Sequence, residues 1–505
     1  MADIFNNVSL RKPKKNVFDL SHEKKLSCNA GELVPIYLQE IIPGDSFRVN
    51  SELMVKLAPM LAPVMHRMNV YTHYFFVPNR IIYDSWETFI TGGADGKQVV
   101  GFPQLGLSDS RKGSFVPGSL TDYFGIPTIN QSETVIDMHY FNALPFRAYQ
   151  TIYNEYYRDQ TLTPPVAVTK EEVVGSDEFY AITTLRKRSW EKDYFTSALP
   201  WAQRGGDVLL PMDSIVNYRD AALGIPQGTT GNLGFLNGEL SDIQAPANQY
   251  GLDNIESIEE NVTINELRKA VRLQEWLEKN ARAGARYIEQ IFSHFGVKSS
   301  DARLQRPEYL GGGKSPVVIS EQLSSFNNEE VPGATMYGHG VSYGGKNGFK
   351  KYFEEHGFVI GIMSIIPKTA YMQGIPKIFN KIDKFDYFWP EFANIGEQEI
   401  TDDELYWDPF IASSENKKTF GYTPRYAEYR FQHSSVHGDF RDSLSYWHMA
   451  RMFTSKPALN ANFIEADPTQ RIFAVTDPTI DKYYVQLYNN VRAIRPIPKF
   501  GTPTL

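Results

Sequence analysis

Three stretches carry residue types that chemistry uses. In YLGGGKSP (309–316) a phosphate-binding loop of the form G-x-x-x-x-G-K-S would need glycine at 308, where Glu308 stands. A carboxylate repels phosphate, and PVVIS behind it reads as a strand where that loop needs a helix, so the run reads as a flexible glycine turn. In HSSVHGD (433–439), His433 and His437 stand four apart, a spacing that shares a metal on a helix. Ser434 occupies the place of a zincin's general-base glutamate, and Gly438 with β-like flanks argues against a helix. The pair reads as two polar histidines at a loop or interface. The carboxylates of TDDEL (401–405) and EEV (171–173) read as solvated surface. Cys28 is the single cysteine and lies in a polar segment without a nucleophile's pattern. Carboxylate pairs of the glycosidase kind, assembled only by folding, are not visible either. No catalytic residue, cofactor or metal ligand is assigned.

Aromatic and basic residues are more informative. LPFRAYQTIYNEYYRDQ (144–160) holds five aromatics and two arginines. With Pro145 in a first turn, Phe146, Tyr149, Tyr153, Tyr156 and Tyr157 fall on one helical face, and Arg147, Thr151, Asn154 and Arg158 on the other. The expectation is a helix packed by its aromatic face, with Arg147 and Arg158 free for contacts. Thr263 and Glu266 form a capping box, stapled by Val262 and Leu267, that opens a helix over 263–295 interrupted only by Gly284. Arg268, Arg272, Lys279, Arg282 and Arg286 share its face, with Glu275–Lys279 and Glu278–Arg282 as i, i+4 pairs, which reads as a solvated or subunit-contact face. After Asp481 no acidic residue remains. From 482 the chain reads as an extended basic tail, with three prolines from 496 on. Arg492, Arg495 and Lys499 are the first candidates for contact with nucleic-acid phosphates, then Arg425 and Arg430, and more weakly Arg11, Lys12, Lys14 and Lys15.

The elements that must position these groups are mainly β. The chain has 505 residues, 42% hydrophobic and 13% aromatic, with a net charge of −8. A dedicated nucleic-acid binder is usually basic, so any such contact must be local. The lone cysteine fits a reducing compartment, MADIFNNVSL lacks the apolar core of a signal peptide, and the longest apolar run, FVIGIMSII (358–366), is too short to span a bilayer. That run reads as a strand buried on both faces. NVYTHYFFVP (69–78), PVVIS (316–320), TFGYTPRYAEYRF (419–431), RIFAV (471–475) and KYYVQLY (482–488) read as further strands, and IYDSWETFI (82–90) as a short helix stopped by Gly92. Residues 1–30 read as an arm, 31–505 as one domain, and the Gly-, Asn- and Gln-rich stretch 206–261 as a surface insertion. A few strands with long connections predict a β-sandwich core carrying large loops. A β-rich carbohydrate-binding or carbohydrate-active protein is the alternative of a different class.

Seven long segments add a resemblance. They are HYFFVPNRIIYDSWETFITGG (73–93), LPFRAYQTIYNEYYRDQ (144–160), LRKRSWEKDYFTSALPWAQRG (185–205), QEWLEKNARAGARYIEQIFSHFGVKSSDARLQRPEYLGGGKSPVVIS (274–320), GIMSIIPKTAYMQGIPK (361–377), KFDYFWPEFANIGEQEI (384–400) and RYAEYRFQHSSVHGDFR (425–441). In order and over nearly the whole length, the chain resembles the major capsid proteins of the Microviridae, and most nearly the gokushovirus branch. The resemblance implies an eight-stranded antiparallel jelly roll with long inserted loops and a few helices. It implies self-assembly into a T=1 icosahedral virion around circular single-stranded DNA, in the cytoplasm of a bacterial host. The implied partners are an internal basic DNA-binding protein, a pilot protein, a scaffolding protein and a host surface receptor, the last met by three-fold protrusions for which 206–261 is the candidate.

Overall fold

The structure, a computed structural model, describes residues 14–206, 208, 264–284, 286–323 and 336–500. The insertion 206–261, the Thr263 cap with its Val262 staple, Arg11 and Lys12 lie almost wholly outside them. Two compact units are present, one formed by Met1–Ala202 with Ala283–Leu505, the other by Gln203–Arg282.

The larger unit is built on a nine-stranded antiparallel sheet. Its strands are β1 (Asn16–Asp19), β2 (His22–Cys28), β3 (Val34–Ile41), β4 (Ser46–Leu57), β5 (Met68–Pro78), β6 (Glu308–Leu323), β7 (Met336–Tyr352), β8 (Gly357–Pro367) and β9 (Tyr483–Arg495). They run in the order β1-β9-β4-β7-β6-β5-β8-β3, with β2 also on β9. The sheet curls, so that β9 and β4 face β3, β8 and β5 across a shared core. Val55, Leu57, Val485 and Leu487 pack there with Val34, Ile36, Val70, Met363 and Ile365. At the other end Phe47, Val49 and Val491 meet Tyr37, Tyr74, Phe76 and Val359. This is the sandwich the sequence predicts, formed by one curled sheet.

The burial patterns follow from position. In β4 every second residue is buried, the period-2 signature of a sheet with one wet face. All of β8 is buried: Val359, Met363 and Ile365 point into the sandwich, while Phe358, Ile360 and Ile362 point the other way, into a second core under the helices. Each such buried apolar side chain contributes about 1.5–3 kcal/mol, so this central strand is apolar throughout.

Several expectations are corrected. The glycine run 311–313 is not a turn but lies within β6, paired with Thr72, His73 and Tyr74 of β5. A Cβ at Gly312 would stand 2.3 Å from the Thr72 carbonyl oxygen, so glycine is required by close strand approach. The tail is regular strand through Arg495, alternately buried and exposed, and the strand ends only at the prolines. Within the N-terminal arm, Asn16–Asp19 and His22–Cys28 are strands, β1 and β2, that complete the edge of β9. RIFAV forms only an isolated bridge at Phe473. The strand at Thr419 ends at Pro424, since Tyr426 takes φ 60°. The long helix divides in two, Ile264–Ala283 and Tyr287–Phe295.

Candidate nucleic-acid interface

Helix α1 (Leu144–Ile152, with proline in its first turn) continues into one π turn over Tyr153–Tyr157. Tyr156 and Tyr157, within this turn, both reach Phe75 on the outer face of β5, at 4.7 and 6.0 Å between ring centroids. Phe146, Tyr149, Tyr153 and Tyr157 are buried as expected. The Tyr149 hydroxyl donates to the Leu33 carbonyl at 2.8 Å and accepts from the Arg186 amide at 3.1 Å. The Tyr157 hydroxyl meets Nδ1 of His73 at 2.8 Å, and burial holds that imidazole's pKa down to about 4.

Arg147 is not on a free polar face. It is fully buried, with Nε 2.9 Å from Oε1 of Glu178, and its Nη1 donates to the carbonyls of Ile82 and Glu171. Helix α2 (Ser176–Thr183) covers that side, so α1 is sandwiched between layers, which periodicity in one segment does not reveal. Arg158 is likewise engaged, donating to the Thr163 carbonyl at 2.6 Å. The segment is a packing element.

The two helices that replace the single one are α3 (Ile264–Ala283) and α4 (Tyr287–Phe295). Gly284, at φ 101°, ends the first. Arg286 caps α4 and donates to the Asn154 and Arg158 carbonyls, so it does not extend the basic face of α3. There Glu275 pairs with Arg272 at 2.5 Å rather than with Lys279.

The remaining searched-for chemistry resolves into structure. Asp402, Asp403 and Glu404 are buried, not solvated, and each is held at 2.8 Å by a lysine: Lys456, Lys417 and Lys377 respectively. Burial makes such pairing necessary. His433 packs 5.5 Å from Phe195, while His437 is exposed and 2.9 Å from the Ser435 hydroxyl. Ser434 and Ser435 lie in extended backbone beside Ala370 and Tyr371, which rules out the helical metal pair. Among the described residues no group of three His, Cys, Asp or Glu is placed to hold a metal ion. Burial pushes the Cys28 thiol well up, unlike a reactive cysteine.

The phosphate-contact candidates fall in separate places. Arg492 stands on the exposed face of β9, with Asp19 of β1 on one side and Arg48 of β4 on the other; Arg48 in turn faces Lys350 of β7. Arg492, Arg48 and Lys350 are exposed, and none forms an ion pair among the described residues. On the same face are Tyr484, opposite Lys56, and Tyr488, opposite Glu52. Lys15 joins this end, its ammonium 4.9 Å from the Tyr352 ring. Lys14 is exposed. Arg495 differs: it is bound to the fully buried Asp45 at 3.0 Å and over the Phe47 ring, which makes it a structural clamp. Lys499 is exposed near Phe500. Arg425 and Arg430 lie elsewhere, in a loop cluster where Arg425 donates to the Phe385 carbonyl at 3.3 Å and Arg430 to the Arg425 carbonyl. Sequence reasoning missed Arg48 and Lys350. Alternation in SFRVNSELMVKL marks Arg48 as outward-facing, but only the register shows that it adjoins Arg492.

Comparison with known proteins identifies the setting. The family described as "Capsid protein (F protein)" matches residues 7–505. The chain is 33% identical to capsid protein VP1 of Chlamydia phage 1, over all of this chain and 98% of that protein. It is 37% identical to capsid protein VP1 of Bdellovibrio phage phiMH2K, over 97% and 95%. To capsid protein VP1 of Spiroplasma virus 4 it is 28% identical, over 96% and 94%. These matches set aside the carbohydrate-active alternative. The chain belongs to the capsid protein (F protein) family: it is a structural protein of the phage particle and not an enzyme.

Proposed function

We propose that this chain is the major subunit of a T=1 icosahedral shell around circular single-stranded DNA, and that the exposed face of β1-β9-β4-β7 meets that DNA at its Arg492 end. The observation carrying the DNA reading is the row Arg492, Arg48 and Lys350 on adjacent strands, with Asp19 opposite Arg492 on the outer side. Like charges side by side in a sheet cost stability, and a polyanion relieves that cost. Tyr484 and Tyr488 on the same face supply rings on which unpaired bases stack. With a net charge of −8, most genome neutralisation falls to an internal basic DNA-binding protein. A pilot protein and a scaffolding protein complete the assembly partners, and 206–261 is the segment proposed to reach a host surface receptor from the three-fold axes. Electron microscopy of the purified chain, alone and with the scaffolding partner, tests the shell. Closed T=1 particles are expected; particles of another symmetry, or open sheets, count against it.

A further inference from the structure

One surface is too apolar to remain wet. Residues 378–389 expose Ile378, Phe379, Ile382, Tyr387, Phe388 and Trp389, each between 46% and 89% accessible. At about 200 Å² per side chain this amounts to roughly 750 Å². Soluble monomers rarely expose contiguous apolar patches beyond a few hundred Å², whereas a standard protein–protein interface buries about 800 Å² on each partner.

The patch is also held in shape. Asp386 accepts from the Ile382 and Asp383 amides at 2.9 and 2.8 Å. The Trp389 indole donates to the Lys384 carbonyl at 2.8 Å, and the Tyr426 hydroxyl to the Tyr387 carbonyl at 3.2 Å. Phe388 lies 5.0 Å from the Tyr426 ring. A surface fixed before binding loses little freedom on association. Its central cation is already neutralised, since Lys381 pairs with Glu428 at 3.0 Å and sits 3.9 Å over the Tyr429 ring. An aromatic, pre-organised, charge-compensated centre suits a protein partner more than a polyanion.

We infer that this patch is an interface between copies of this chain, occupied in the shell by the neighbouring subunit. The area matches what a stable subunit contact needs, and a capsid subunit is surrounded by copies of itself. The inference rests on membership of the capsid family and not on the DNA reading.

Photocrosslinking in assembled particles tests it. The amino acid p-benzoylphenylalanine is placed at Phe379 or, separately, at Tyr387, and the particles are irradiated. The expected product has twice the mass of this chain, with both crosslinked peptides belonging to it. An adduct to another virion protein or to DNA, or no intersubunit adduct at either position, overturns the inference while leaving the shell function standing. In parallel, Ile382→Ser is expected to lower particle yield at least about tenfold with the subunit's melting temperature unchanged, because Ile382 is 89% exposed. Parent-level yield from that variant also overturns it.

Discussion

The guanidinium of Arg147 lies inside the protein with its Nε 2.9 Å from Oε1 of Glu178, and both side chains are shut off from solvent. Removing one partner leaves the other charge buried and alone, which costs about 3–5 kcal/mol, whereas replacing both with apolar groups costs far less. Arg147→Met should therefore destabilise the subunit strongly, and the double change Arg147→Met with Glu178→Leu should recover most of the loss. Denaturant unfolding of the parent and the two variants measures this. Equal losses in the single and double variants would show that the pair is not the source of the stability.

Tyr153 opens the π turn, is buried, and has the Arg186 guanidinium 5.7 Å from its ring. Tyr153→Ala should cost about 3 kcal/mol through the cavity it leaves, and particle yield should fall with it. Tyr153→Phe keeps the ring and should stay within about 0.5 kcal/mol. Unchanged melting temperature and particle yield for the alanine variant would remove the packing role.

The segments that alternate or are continuously apolar were legible from sequence. FVIGIMSII is buried on both faces, NVYTHYFFVP ends its strand at Pro78, and the aromatic face of 144–160 is buried as its spacing predicts. What periodicity misses is a second covering layer. Arg147 looks free until α2 is placed over it, and TDDEL looks solvated until Lys377, Lys417 and Lys456 converge on it from elsewhere in the chain. Composition misleads where glycine means close approach rather than a turn, as at Gly312. The basic row was half legible: Arg492 stood out in a stretch without acids, but its neighbours are set by register, which no single strand encodes.

Glu32 provides a pH test. Its carboxylate accepts from the Asn29 amide at 2.9 Å, while the Asn29 side chain donates to Asp481 at 2.8 Å. Burial, with the Asp481 charge adding to it, pushes the Glu32 pKa up to about 7 from about 4.3 in an unfolded chain. The folded state then holds the proton more tightly, so the stability linked to this group is full below about pH 4.3 and is lost as pH rises through 7. Glu32→Gln should melt above the parent at pH 8, by on the order of 2 kcal/mol, with the gain vanishing near pH 4. A difference that does not vary with pH would contradict the assignment.

The DNA face has a quantitative signature. Each phosphate contact with a single strand contributes about −0.7 to the slope of log affinity against log salt. Arg492, Arg48 and Lys350 stand in one cross-strand row, so changing all three to glutamine should make that slope shallower by about 2 and weaken binding similarly across sequences. Exposed strand positions tolerate such changes with little effect on folding, and removing three adjacent like charges should, if anything, raise the melting temperature slightly. Arg495→Gln should behave in the opposite way: it breaks the clamp on buried Asp45, so it lowers stability while the salt slope stays near the parent's. Fluorescence anisotropy with a labelled oligonucleotide over a range of salt, read beside thermal melts, separates the two. If the triple variant keeps the parent slope, the DNA lies against another surface, and the loop cluster of Arg425 and Arg430 becomes the next place to change.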